Sequence, residues 1–176
     1  MIKLILIFLF SNFSSATIPP FEVTNLAEEL KGIYFGDLNY LIHAENTDWF
    51  QIDSSKIKSK TIKTEYRSLD DQSPSKLTVR SESLKKNVML SQYIKKSVKD
   101  YRRFGFKVLD LRPLKINQNN AFVLDLDKID DDLQTRQILF KKNQNIIILT
   151  CTGHRFKFQN DLNTCNQIAR NFKWIK

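Results

Sequence analysis

The chain has 176 residues, of which 41% are hydrophobic, with 28 Lys and Arg against 19 Asp and Glu, a formal net charge of +9, and two cysteines. A chain of this length buries a core without a metal or a dense disulfide framework, so it is not a stapled mini-domain. Its four glycines form no phosphate-cradling cluster.

The sequence opens Met1-Ile2-Lys3 with one positive charge, continues through the apolar run Leu4–Phe10, and relaxes across Ser11 to Ala16. Small side chains at Ser14 and Ala16 occupy the −3 and −1 places of a cleavage site, so residues 1–16 are expected to be a secretory signal peptide. The apolar run falls well short of the roughly 20 residues that span a bilayer, and no transmembrane anchor is expected after cleavage. One Lys lies in that segment, so the mature chain from Thr17 keeps 27 cations against 19 acids, or +8. The expected location is periplasmic or secreted. The expected partner is anionic, either a protein or an envelope surface. Export removes nucleic acid from the expected partners, and the mature chain has no Asn-x-Ser/Thr acceptor.

Residues 17–37 read as a leader with a short helix over 24–31, capped by Thr24 and followed by Gly32. From residue 38 to 176 a single domain is expected. Residues 38–44 read as a strand, and Trp49–Ile52 follows the polar turn Glu45–Asp48. Residues 60–67 and 77–83 alternate as the arms of a hairpin. The clearest helix is 91–104: Ser91 is a candidate N-cap, Ile94, Val98 and Tyr101 share one face, and Gly105 suits a left-handed end. Off that face stand Lys95, Lys96, Lys99, Arg102 and Arg103, with Asp100 the one acid. Five cations so placed are either a solvated surface or a docking face.

Four strand-like runs follow, 106–113, 120–127, 134–141 and 145–152, the last fully buried by its pattern Ile146–Leu149. A helix at 161–172 closes the chain, with Asp161 as its candidate cap and Leu162, Cys165, Ile168, Ala169 and Phe172 inward. The pattern predicts an α+β fold: an antiparallel sheet of about six or seven strands with helices packed on it, an α/β/α sandwich.

Cys151 and Cys165 permit one pairing, which an oxidising compartment favours. That bridge would close a loop of about 15 residues, worth about 3 kcal/mol on the chain-entropy estimate. Two other readings stay open: a pair of free buried thiols, or a metal or catalytic site using Cys151, His154 and Cys165, with His43 as a fourth ligand. Asp125, Asp127, Asp130, Asp131 and Asp132 gather near one hairpin tip, but they lack the alternation and glycine of a calcium loop. They read as a solvated turn, or as a patch that meets the basic helix of another copy.

The second half resembles the PsbP-like α/β sandwich family, which includes the photosystem protein PsbP, a Ran-binding nuclear factor and small exported bacterial proteins. The resemblance rests on Tyr101–Phe106, Ala121–Leu124, Ile146–Cys151 and Ile168–Trp174, with Trp49 after the first strand, and it covers about residues 38–175. It implies a partner-binding protein of a family that is not enzymatic as a class; no catalytic residue carries over, and the metal and Ran contacts of individual members match no residues of this sequence. No metal or cofactor is expected. Two functions are therefore weighed: an exported binding or accessory module docking an anionic partner through helix 91–104, and a small secreted hydrolase or metal-binding protein built on Cys151, His154 and Cys165.

Overall fold

The computed structural model describes residues 33–35, 38–52, 57, 61–68 and 73–175. The expected signal segment and the 24–31 helix lie outside these residues. In chain order the elements are β1 (Ile33–Phe35), β2 (Tyr40–Ile42), β3 (Trp49–Gln51), β4 (Ile62–Ser68), β5 (Lys76–Ser83), α1 (Leu90–Arg103), β6 (Lys107–Ile116), β7 (Asn119–Lys128), β8 (Leu133–Lys142), β9 (Asn145–His154), α2 (Phe158–Arg170) and β10 (Lys173–Trp174). A single 3-10 turn, Ile129–Asp131, joins β7 to β8.

Seven strands form an antiparallel sheet in the order β3-β4-β5-β9-β8-β7-β6. The apolar run in β9 is explained by its place between β5 and β8, where both faces are covered. Ile146 and Ile148 join Leu124, Leu126 and Leu139 under α1, which contributes Ile94, Val98 and Tyr101. Ile147, Leu149 and Cys151 face the other way and pack with Leu162, Cys165, Ile168 and Ala169 of α2. The α+β sandwich expected from the pattern is the observed architecture.

A smaller sheet, β1-β2-β10, completes the α2 side, with Leu41 opposite Lys173 and Tyr40 opposite Trp174. The Ile175 amide donates to the Asn39 carbonyl at 2.8 Å. Phe172, fully buried, stacks on Phe140 with centroids 4.0 Å apart and meets Trp174 edge-on at 5.1 Å. Lys142 Nζ lies over the Trp174 ring at 5.6 Å and donates to the Ile175 carbonyl at 3.0 Å.

Both helices begin earlier than their expected caps. Met89, in extended backbone, is the N-cap of α1, and the Gln92 side chain accepts its N–H at 3.4 Å, so Ser91 stands inside the helix. Lys157 caps α2, and Asp161 lies in its first turn. The Asp161 carboxylate instead accepts a short hydrogen bond from the buried Ser75 hydroxyl ahead of β5. At the other end of α1, Gly105 takes φ +80°, the left-handed conformation its position requires.

The Ser75–Asp161 contact leaves no room above β9. A methyl group at Gly153 would come within 2.6 Å of Ser75 Oγ and 3.2 Å of Asp161 Oδ2. Gly153→Ala is expected to lower stability by about 2 kcal/mol through overpacking. A shift of the urea midpoint at unchanged m-value measures it, and an unshifted midpoint contradicts the contact.

Candidate functional site

The apolar stripe of α1 faces the sheet and leaves its cations outward. Lys95, Lys96, Lys99, Arg102 and Arg103 are all exposed. Only Arg103 has an ionic neighbour among the described residues, Asp100 at 3.9 Å. Exposed Lys85 and Lys86, in the turn before the helix, extend the positive field. A groove of about 570 Å³ runs between that turn and α1, lined by Leu84, Val88, Tyr93 and Lys96 among others. Within it the Tyr93 hydroxyl donates to Glu82 at 2.6 Å. Burial, reinforced by that acceptor, pushes the phenol far above its usual range.

The cysteine reading resolves to structure. Cys151 and Cys165 form a disulfide with Cα atoms 6.1 Å apart, tying β9 to α2. Both are buried, and no thiol is left to ligate or attack. The strand also runs further than expected: β9 continues to His154, so Cys151 and His154, three residues apart, project from opposite faces. His154 is exposed, with Nδ1 3.9 Å from Asp132. The site of Cys151, His154 and Cys165 is therefore not assembled. His43 follows β2, its Nδ1 3.5 Å from Glu45. Burial lowers its pKa, against the opposing pull of Glu45. No three His, Cys, Asp or Glu side chains among the described residues are grouped to hold a metal ion.

The aspartates of the expected acidic turn are largely engaged. Asp125 accepts two bonds from Arg136, at 2.6 and 2.7 Å, in a pair that is mostly buried. Asp127 accepts from Arg155 at 2.7 Å, and Asp131 pairs with Lys128. Asp132 lies 4.0 Å from Arg155. Asp130 is exposed.

Sequence reasoning missed a second cationic surface on the α2 side of the sheet. Arg112, Arg136 and Arg170 line a groove of about 450 Å³ there. They come from two strands and a helix, so no local charge run marks them.

A seven-stranded antiparallel sheet with one helix on each face, one of them tied down by a disulfide, defines an α/β sandwich. No protein-family model and no curated protein matches the chain. Among solved structures it is similar to cyanobacterial PsbP (CyanoP) from Synechocystis, with a TM-score of 0.58 and 12% identity over 81% of this chain and 90% of that one. It is also similar to a protein of unknown function from Pseudomonas aeruginosa, with a TM-score of 0.51 and 14% identity over 74% of this chain and 86% of that one. The fold is PsbP-like.

Proposed function

We propose that this protein is an exported, non-catalytic accessory protein that docks an anionic partner on the exposed cations of α1. The observation that carries the reading is the face itself: four cations, Lys95, Lys96, Lys99 and Arg102, have no ion-pair partner among the described residues, while the opposite stripe of the same helix is committed to the core. A surface of that kind raises encounter rates with acidic partners and sets their orientation. The PsbP-like fold and the disulfide agree with an accessory role in an oxidising compartment.

The triple reversal Lys95→Glu, Lys99→Glu, Arg102→Glu is expected to abolish retention on vesicles rich in phosphatidylglycerol and capture of acidic envelope proteins. The thermal midpoint should be nearly unchanged, because exposed side chains contribute little to stability. Binding that survives the reversal places the docking surface elsewhere.

A further inference from the structure

The groove between α1 and the turn before it leaves apolar surface open. Leu84, Val88 and Tyr93 line it, and each is half-buried rather than sealed under other side chains. On the helix side Tyr93, Ser97 and Asp100 recur at i, i+4 and i+7 and so form one flank of α1. Lys96 stands on the outer rim of that flank, and Lys85 and Lys86 line the turn side.

Two carboxylates also line the groove, and both have cationic neighbours. Glu82 pairs with Arg80 at 3.1 Å and accepts from the Tyr93 hydroxyl at 2.6 Å, while Asp100 lies 3.9 Å from Arg103. Lys85, Lys86 and Lys96 have no ion pair among the described residues. Apolar walls therefore stand beside uncompensated positive charge.

The turn that forms one wall is tied to the β8–β9 hairpin. The Leu84 N–H donates to the Gln144 carbonyl at 2.9 Å, and Lys141 Nζ donates to the Asn87 side chain at 2.6 Å. On the other wall the hydroxyl bond to Glu82 fixes the Tyr93 ring. Both walls are in place before anything binds, which lowers the ordering cost of binding. A volume of about 570 Å³ lies within the ordinary range of ligand clefts.

We propose that this groove takes a bulky apolar side chain, aromatic above all, from an acidic segment of a partner protein, whose carboxylates meet Lys85, Lys86 and Lys96. The site shares Lys96 with the docking face, so it builds on that reading and narrows the anionic partner to a protein. A bilayer would lie across the convex crest of the helix and leave the groove beside it unfilled. A protruding side chain fills it. Protein interfaces concentrate their binding energy in such anchors, set in a pocket within a polar rim.

The probes are three heptapeptides: tryptophan flanked by glutamates, alanine in the same acidic frame, and tryptophan flanked by lysines. The acidic tryptophan peptide is expected to bind one per chain and to shift the methyl resonances of Leu84 and Val88. It should bind about tenfold tighter than its alanine counterpart, and at least about tenfold tighter than the lysine-flanked peptide. Ser97→Trp, which fills the groove, and Val88→Asp should each remove the advantage over alanine; a cooperative thermal transition checks that each variant folds. Reversal of Lys95, Lys99 and Arg102 should weaken both acidic peptides alike and keep their ratio, because those cations stand on the opposite flank of the helix. Equal binding of the two acidic peptides, or an advantage that survives both groove variants, overturns the proposal and leaves the docking face intact. A ratio kept by acidic peptides that ignore the triple reversal supports the groove and overturns the docking face instead. Retention on phosphatidylglycerol vesicles without binding of the tryptophan peptide overturns the proposal and assigns the surface to lipid.

Discussion

Phe172→Ala is expected to cost about 4 kcal/mol, a range set by removing a fully buried aromatic ring and leaving its space unfilled. The ring joins three parts of the molecule: Phe140 from β8 stacks on it, Tyr40 from β2 lies 5.6 Å away, and Trp174 from β10 meets its edge. Urea unfolding measures the loss. Hydrogen exchange should show it locally as faster exchange at the Ile175 amide, whose acceptor is Asn39. A loss below about 1 kcal/mol would mean that the aromatic cluster is not part of the cooperative core.

Reduction of the Cys151–Cys165 bridge, or its replacement by Cys151→Ala with Cys165→Ala, is expected to lower stability by about 3 kcal/mol. The bridge spans a sequence separation of 14 and clamps α2 to β9. Its main effect is to remove freedom from the unfolded chain rather than to add native contacts. Intact mass should be lower by two hydrogens than that of the reduced chain, with no thiol alkylated before reduction. Alkylation of the native protein contradicts the bridge. Stability indifferent to reduction would show that the apolar packing of Leu162, Ile168 and Ala169 alone holds the helix.

Periodicity in the sequence located the strands of the seven-stranded sheet, the two helices and their inward stripes, because alternation and the 3.6-residue stripe are properties of local backbone geometry; the short strands β1 and β10, too brief for a period, were not read. Element ends were less legible. Ser91 and Asp161 have the chemistry of caps, yet each helix starts before them, with Met89 and Lys157 in the capping places. Asp161 is used in a tertiary bond to Ser75, which no local pattern announces. The strand expected over 106–113 runs through Pro113 to Ile116, because an edge strand has one side that needs no donor.

Tertiary pairings explain the remaining differences. The acidic turn read as solvated because its partners Arg136 and Arg155 are distant in sequence from Asp125 and Asp127. The Cys151/His154 pairing was testable from the start: in a strand, a spacing of three puts two side chains on opposite faces, and it was the early end assigned to β9 that hid this. The basic face of α1 was visible as a local run of charge, whereas the groove lined by Arg112, Arg136 and Arg170 exists only once β6, β8 and α2 are brought together.

The pairing of β2 with β10 bears on the order in which the molecule can be made. Strand 40–42 emerges early from a chain read from its amino terminus, and its partner at 173–174 emerges after every other element described here. Until then Tyr40 and Ile42 have no Phe172 or Trp174 against them, and that flank of the core stays open. The β6–β9 meander, whose neighbours are adjacent in sequence, can form while synthesis continues, since short loops close at low entropic cost. Final closure waits for the carboxyl end. A nascent chain lacking residues 173–174 therefore lacks the β2–β10 pairing and leaves that flank of the core unclosed.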